Sequence, residues 1–274
     1  MSELKDLYMR VTNFTCGATM SDPLTIEFEI PFDDGTGTNN AEIKVYNLKD
    51  STVNSIKNKT PAVLTAGYKT DSGVIFQGVL KEKKSTWQDV DKITTFTCID
   101  TTPEFLENTF KKQYAKNTTA STIITDVIGF AGLQIGDMDL PVDFVYRTGK
   151  TVDGKPKQLL AALAKDCKAK MHVTQNKVYI RDKNKPTAMV VTVNKDTGLI
   201  GEPEEISNDV EDAKTKEKIK RVGYKVTTLL NHRVKTDVII ALSSRKVSGS
   251  FRVEKGKHIN NGTSYYTEME VYPL

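Results

Sequence analysis

Between Leu24 and Ile30, apolar and polar residues alternate without exception. Successive side chains of a β-strand point to opposite faces, so a period of two predicts a strand with one buried face, which Pro31 is expected to end. Similar runs follow at 41–46, 62–68, 74–81 and 93–99. Short strands at this spacing, with one short helix capped by Asp50, predict a small β-barrel or sandwich over residues 1–100.

Residues 101–186 predict a mixed region that contains three helices. Pro103 is expected to open a short one. Within 118–130 the apolar residues recur at helical spacing, and glycines end the pattern. The strongest helical pattern begins at Pro156, where a stripe of leucine and alanine residues leads to Cys167.

The remainder of that region is predicted to be poor in regular structure. Residues 134–156 predict loop with one strand at 142–146, and another short strand is expected at 178–180. The polar run Asp182–Pro186 ends in proline and predicts a domain boundary.

The last third again predicts sheet. Strands are expected at 188–193, 222–230, 238–242, 250–254 and 265–272. Segment 202–221 is densely charged with little apolar content, which indicates an exposed and mobile stretch. A faint internal repeat relates the hairpin after Ser72-Gly73 to the hairpin after Ser248-Gly249.

Together these patterns predict a β-rich α+β fold with three domains. Two β-barrel or sandwich domains, at 1–100 and 187–274, are expected to flank a smaller mixed α/β insert at 101–186.

Composition argues against several classes of function. Apolar residues make up 38% of the 274 residues, enough to bury a core. The net charge of +4 is spread without a dense basic stretch, which argues against nucleic-acid binding. No apolar run approaches the roughly 18 residues of a membrane span. Met1–Phe14 has no apolar segment of the kind that a signal peptide requires.

The three cysteines, Cys16, Cys98 and Cys167, are too few and too widely spaced for a disulfide framework. The chain has three histidines and no C-x2-C pair, so no zinc pattern can be written. Each cysteine lies in an apolar-periodic segment, and ordinary packing is therefore predicted for all three.

Two short motifs match part of a known ligand-binding pattern but lack its remaining residues. Thr148–Thr151 ends like a phosphate-binding loop, but that pattern requires a glycine where Phe144 stands, which favours a polar loop before the helix at 156. Asp137 and Asp139 have the spacing of calcium ligands, but Leu140-Pro141 follows instead of further oxygen donors. An exposed turn is the preferred interpretation.

Three further groups also favour structural interpretations. The acidic residues Glu204, Glu205, Asp209, Glu211 and Asp212 lie in the charged segment, where a glycosidase pair is not expected. Cys167 and His172 could form a protease dyad, but a thiol on the apolar face of a helix is inert. Aromatic and basic residues interleave at Phe110–Tyr114. A helix with one solvent-exposed face explains this pattern as well as a surface on which bases or sugars stack. We therefore assign no catalytic, cofactor-binding or metal-binding residue and expect no cofactor.

Three ordered stretches carry a resemblance to a known family. They are AEIKVYNLKDSTVNSI (41–56) with VLTAGYKTDSGVIFQGVLKEKK (63–84), STIITDVIGFAGLQ (121–134) with the leucine-rich helix and strand of 148–180, and LLNHRVKTDVIIALSS (229–244) with GSFRVEKGKHINNGTSYYTEMEVYPL (249–274). In this order they resemble the first tube-type domain, the insert domain and the second tube-type domain of the baseplate hub proteins of contractile bacteriophage tails. The resemblance is weakest at 1–20 and 201–221.

The resemblance implies a structural, non-enzymatic virion protein that is made and assembled in the cytoplasm of the bacterial host. Hub proteins of this family are homotrimers, and two tube-type barrels per chain give a pseudo-sixfold ring. The ring joins the hexameric tail tube, or its initiator proteins, to the trimeric central spike, and other baseplate proteins surround it. DNA passes through the pore without specific binding, and no membrane span is implied.

Two alternatives stay open at the level of sequence. One is the same role in a bacteriocin or a type VI-like injection particle. The other is a cell-wall carbohydrate-binding or hydrolytic tail protein, which requires a concave aromatic site with paired carboxylates. The length and polarity of segments 81–92 and 202–221 lead to a separate hypothesis, that both face neighbouring subunits or partners.

Overall fold

The structure is a computed structural model that describes residues 9–33, 35, 39–182, 189–211 and 218–274. Its helices are α1 Asp50–Ser55, α2 Pro103–Glu107, α3 Ala120–Phe130 and α4 Pro156–Asp166. Its strands are β1 Arg10–Cys16, β2 Ala18–Met20, β3 Ile26–Asp33, β4 Asn40–Tyr46, β5 Pro61–Tyr68, β6 Asp71–Gln88, β7 Asp91–Ile99, β8 Phe110–Tyr114, β9 Thr118–Thr119, β10 Gln134–Asp139, β11 Val145–Tyr146, β12 Lys150–Gly154, β13 Lys170–Thr174, β14 Lys177–Arg181, β15 Val190–Val193, β16 Leu199–Glu211, β17 Lys218–Leu229, β18 Ile239–Ser243, β19 Ser248–Asn260 and β20 Tyr265–Pro273. The fold is β-rich α+β, as the sequence predicts.

The first β module comprises β1 to β7. Its strands lie in the order β3-β4-β7-β6-β5-β1, with β2 beside β1, and every neighbouring pair is antiparallel. The alternation that predicted β3 is confirmed, because Ile26, Phe28 and Ile30 are buried while Glu29 is exposed. The inward faces of these strands share one hydrophobic cluster, which includes the T-shaped pair Phe14–Phe96.

The second β module, β15 to β20, repeats this order. Its strands lie in the order β16-β17-β20-β19-β18-β15. The first strand order becomes the second when β1 is replaced by β15 and the strands β3 to β7 are replaced, one by one, by β16 to β20. One direction differs, since β1 is antiparallel to β5 whereas β15 is parallel to β18. The long hairpins also break register at matching places, between Leu80 and Glu82 and between Val253 and Lys255. The faint repeat in the sequence is thus a repeated topology.

The insert between the modules contains α2 to α4 and β8 to β14. Its helices α3 and α4 pack on each other and on a three-stranded sheet ordered β10-β14-β13. The predicted apolar faces are confirmed: Ile123, Ile124, Val127 and Ile128 of α3 are buried, as are Leu160 and Leu163 of α4. The side chain of Thr119 caps α3 by accepting a hydrogen bond from the backbone N–H of Thr122.

Pro31 does not end β3, contrary to expectation. The strand continues to Asp33, with Pro31 opposite Lys257 of β19. Pairing with β4 stops at Glu29, so beyond that residue β3 has a partner on one side only. A proline is tolerated there because its missing N–H can face the side that has no ladder. Pro31 therefore marks the end of β4 pairing and not the end of the strand.

Two other expectations are wrong for a related reason. The one strand expected within 134–156, at 142–146, is present as the two-residue β11, but β10 and β12 also lie in this segment, and each of the three pairs with a partner distant in sequence. Segment 202–221, in which no strand was expected, is strand at 202–211 and 218–221, although its exposure is confirmed at Glu202, Glu204 and Glu205. These strands are held by hydrogen bonds across the sheet, which local apolar patterning does not report. In α1 the N-cap is Lys49, and Asp50 lies in the first turn.

The described residues form three hydrophobic clusters, but these clusters are not strictly divided by sequence. Leu230 and Tyr265 pack into the cluster of the first β module, while Phe32 packs into that of the second. The division into domains at 1–100, 101–186 and 187–274 therefore stays a prediction. The expected boundary at Asp182–Pro186 lies outside the described residues except for Asp182.

Asp100, at the end of β7, should make stability depend on pH. Burial raises the pKa of its carboxyl to about 7, although the backbone N–H and side-chain amide of Asn39 donate to it. The unfolded carboxyl titrates near pH 4, so the folded state binds more protons between about pH 4 and about pH 7. Asp100 thus contributes stability below that window, and this contribution is lost as the pH rises through it.

We expect Asp100→Asn to flatten this part of the pH profile of the free energy of unfolding, measured by urea denaturation from pH 4 to pH 8. Asp89→Asn, in the exposed turn between β6 and β7, is the matched control and should leave the profile unchanged. A wild-type profile with no greater downward slope than that of Asp100→Asn would contradict the prediction.

Candidate assembly interface

The two β modules are joined by direct pairing of β3 with β19. Residues 28–33 lie antiparallel to 255–260, so both modules belong to one hydrogen-bonded sheet. We call this pairing the intrachain joint. Along β19, residues 248–252 pair with β18, and residues 255–260 pair with β3. The bulge between Val253 and Lys255 lies between the two stretches, where the strand changes partner.

Side chains reinforce the intrachain joint on both faces. On the exposed face, Lys257 Nζ lies 3.2 Å from Glu29 Oε1. On the buried face, His258 packs 5.1 Å from the Phe32 ring, and its Nδ1 lies 2.8 Å from Thr267 Oγ1. Burial lowers the pKa of His258 to about 3, so the imidazole is neutral at physiological pH and adds no charge to the interior.

Tyr265 at the start of β20 adds an aromatic anchor. Its ring packs edge-on against Phe28 and Tyr68 inside the first module. Its hydroxyl donates to the carbonyl of Val11, at 2.8 Å, and accepts from the N–H of Gly67, at 2.7 Å. This side chain of the second module therefore fills part of the core of the first, which fixes the two modules relative to each other.

Several strand edges among the described residues lack a partner, including the outer edges of β2 and β15, and two of these unpaired edges are densely charged. Residues 82–88 of β6 pair with β7 on one side only, since β5 ends opposite Val79. We call these residues the β6 edge. Strand β16 is the last strand of the sheet and pairs only with β17. Its residues 204–208 are called the β16 edge. Unpaired edges of this length invite pairing with another chain.

The two edges carry opposite charge. The β6 edge and its approach contain Lys81, Lys83 and Lys84 with one acidic residue, Glu82, whereas the β16 edge and its approach contain Glu202, Glu204 and Glu205. Lys83 is engaged within the chain, because its Nζ donates to the carbonyls of Val53 and Ile56. Lys81 and Lys84 are exposed, as are the three glutamates. Trp87 is 72% exposed and Ile200 is 43% exposed, so each edge also offers apolar surface.

The insert is held against the second β module by buried charges. Asp237 Oδ2 lies 3.5 Å from the Arg181 guanidinium and 3.6 Å from His172 Nδ1, while Asp237 Oδ1 accepts from Arg252. Arg181 also lies 3.6 Å from Asp137 Oδ2. All but Asp137 are largely buried. The cluster links β10, β13 and β14 of the insert to the second module.

The structure accounts for both incomplete ligand motifs. Gly149 takes a positive φ of 86° in a turn, and Lys150 begins β12, so this segment leads into a strand and not directly into the helix at 156. The Lys150 ammonium lies 4.6 Å from the Tyr146 ring centroid. Asp137 lies on β10 beside Arg181, and Asp139 ends the same strand, so the exposed turn expected there is wrong. Within the described ranges no group of three metal-ligating side chains is present.

The remaining candidates also occupy structural positions. Glu204 and Glu205 are neighbours on β16, so they point to opposite faces and cannot act as a facing pair. Cys167 is buried in the insert core, and burial raises the pKa of its thiol. His172, in contrast, stacks on Tyr179 and faces Asp237. The side chains of Asp209 and Glu211, and all of Asp212, lie outside the described residues.

The Phe110–Tyr114 segment is strand β8 and not a helix. Phe110 is buried, and Lys111 Nζ lies 2.9 Å from Asp153 Oδ2. Lys112 Nζ and the Tyr114 hydroxyl both donate to Asp126. These contacts occupy the basic groups within the insert. Cys16 and Cys98 are free and buried, as packing predicted, and so is Cys167.

Known proteins resemble this chain in structure but not detectably in sequence. No protein-family model matches it, and no curated protein is significantly similar in sequence. A tail protein from Neisseria meningitidis MC58 superimposes with a TM-score of 0.69 at 7% identity over 97% of both chains. The 43 kDa tail protein of prophage MuSo2 from Shewanella oneidensis gives 0.69 at 10% identity, over 97% of this chain and 98% of that one.

A third similar structure comes from a secretion system. It is a component of the E. coli type VI secretion system, described as structurally similar to the T4 bacteriophage tail proteins gp27 and gp5. Its TM-score is 0.59 at 10% identity, over 92% of this chain and 74% of that chain. The fold of this protein is therefore one that it shares with these phage tail proteins and with this secretion-system component. No helix among the described residues is long and apolar enough to cross a membrane.

Proposed function

We propose that this chain is the baseplate hub subunit of a contractile phage tail or of a related injection particle. Three copies form a pseudo-sixfold ring that joins the hexameric tail tube to the trimeric central spike and lines the channel. The protein is a structural part of the virion without catalytic activity, and other baseplate proteins surround it. DNA passes through the pore without specific binding. The domain division at 1–100, 101–186 and 187–274 is part of this proposal.

The observation that carries the proposal is the repeated topology. Two modules with the same strand order in one chain turn a true threefold axis into an approximate sixfold one, as a subunit between a hexameric tube and a trimeric spike requires. The intrachain joint supports it further, because it places the two modules side by side in one sheet. The likeness to tail proteins over almost the whole chain supports the same assignment.

Mass measurement across a concentration series, with negative-stain images, tests the proposal. The protein is measured alone and after co-expression with spike and tube proteins from the same gene neighbourhood. We expect a species of three times the 30.5 kDa chain that appears as a ring with a central hole. A stable dimer without rings, or a monomer in both settings, would overturn the trimeric hub.

The alternative of a cell-wall carbohydrate-binding or hydrolytic tail protein has its own test. It requires turnover of peptidoglycan, read as a clearing zone in a zymogram. We expect no clearing. A zone that disappears on substitution of Glu204 or Glu205 by glutamine would support the alternative instead.

A further inference from the structure

The repeated topology allows positions in the two long hairpins to be matched. Two residues past the bulge in β6 lies Lys84, opposite Thr95 of β7. Two residues past the bulge in β19 lies Lys257, opposite Glu268 of β20. Lys84 of the unpaired β6 edge is therefore the counterpart of Lys257, which is part of the intrachain joint.

The other edge can be matched in the same way. In the first module Glu29 of β3 lies opposite Glu42 of β4. In the second module Glu204 of β16 lies opposite Lys225 of β17. Lys225 occupies in β17 the position that Glu42 occupies in β4, when both are counted along the pairing with the neighbouring strand of the long hairpin. Glu204 of the unpaired β16 edge is therefore the counterpart of Glu29, the partner of Lys257.

We propose that the β16 edge of one chain pairs antiparallel with the β6 edge of a second copy, in the register of the intrachain joint. In this register Thr86 faces Glu204 and Lys84 faces Ile206 of the next copy. Lys84 and Glu204 then form across the two chains the ion pair that Lys257 and Glu29 form within one chain. The inference rests on the proposed ring and specifies which surfaces close it.

Two observations favour a second copy of this chain as the occupant of these edges. Charge is complementary, since the exposed lysines Lys81 and Lys84 would face a strand that carries Glu202, Glu204 and Glu205. Pairing would also bring the exposed Trp87 close to the bulge that follows Ile200. Each chain contributes one edge of each kind, so the contact is head-to-tail, which is the kind of contact that generates a ring when its rotation closes.

Disulfide trapping tests the register directly. The double variant Thr86→Cys/Glu204→Cys places the two new thiols opposite each other between copies, and the three native cysteines are buried and do not compete. With diamide as oxidant, we expect covalent dimers and trimers on non-reducing gels. The control is Ser85→Cys/Glu204→Cys, which should not cross-link because a shift of one residue points the side chains to opposite faces.

Charge reversal tests the ion pair. Lys84→Glu and Glu204→Lys should each raise the dissociation constant of the trimer, about 2- to 5-fold for each joint affected. The double variant should restore assembly, because it re-forms the pair with its charges exchanged. Lys69→Glu, in the turn between β5 and β6, makes the same change in net charge as Lys84→Glu and is expected to have no effect.

The outcomes separate this inference from the proposed function. Rings that form without cross-linking of the 86/204 pair, and that the charge reversals do not weaken, would overturn the pairing and leave the hub proposal intact. A chain that stays monomeric alone and with its co-expressed partners would overturn both. Cross-linking of the 85/204 pair in place of the 86/204 pair would refute the register.

Discussion

Asp237→Asn is expected to destabilise the fold more than any other single conservative change considered. Asp237 is 4% exposed and accepts from Arg252 while facing Arg181 and His172. Removing the anion leaves buried guanidinium groups with less compensating charge, which typically costs about 3–5 kcal/mol. Asn suits this position because the backbone φ of 69° lies in the left-handed region that asparagine tolerates. The expected loss of stability therefore measures the removal of the negative charge and not a change in backbone strain.

Urea denaturation at neutral pH measures this loss as a lower midpoint with an unchanged slope. The control is Asp153→Asn, which breaks the exposed pair with Lys111 and should cost less than about 1 kcal/mol. Because the charges link the insert to the second β module, limited proteolysis should also cut the variant between these parts sooner than the wild type. Equal midpoints for the two variants would show that the buried cluster contributes nothing beyond a surface pair.

Gly256→Ala should disrupt the intrachain joint. A Cβ at this position would lie 2.3 Å from the backbone oxygen of Glu268 and 2.6 Å from the Phe32 ring. Neither the strand nor the packed ring can move away without loss of pairing, and such overpacking costs about 1–3 kcal/mol. We expect a lower free energy of unfolding and, if the ring forms, a lower yield of assembled rings.

The same substitution elsewhere provides the control. At Gly129, in α3, a Cβ would meet nothing within 4 Å. Gly129→Ala should therefore stabilise the protein by up to about 1 kcal/mol, since alanine favours helix more than glycine does. Thermal unfolding of both variants beside the wild type measures the contrast. If Gly256→Ala were as stable as the wild type, the close approach of β19 to β3 and β20 would be wrong.

Much of the local structure follows from patterns that operate within a few residues. The alternation in β3, β4 and β20 and the apolar faces of α3 and α4 are confirmed, because side-chain burial imposes a period of 2 on strands and 3.6 on helices. The packing of the three cysteines follows for the same reason. The fold class, and the resemblance drawn from the order of segments, were also accessible at this level.

The errors occur where hydrogen bonds between distant residues decide the structure. Strands β10 and β12 are short and mostly exposed, so nothing in their own residues distinguishes them from loop, whereas β11 lies within the strand expected at 142–146. β16 and β17 are charged strands whose described parts pair with each other along their length. Strands of this kind are stabilised by the burial of one face or by a long ladder of hydrogen bonds, and both depend on the partner strand.

The sequence by itself determined the β-rich class, the amphipathic elements and the two charged segments at 81–92 and 202–221, because each depends on neighbouring residues. Only the tertiary structure decided that these segments provide two unpaired edges of one sheet, and that Lys84 and Glu204 hold the places of Lys257 and Glu29. The physical reason is that register and strand order are set by pairing between residues far apart in the chain. The periodicity of neighbouring residues carries no information about that pairing.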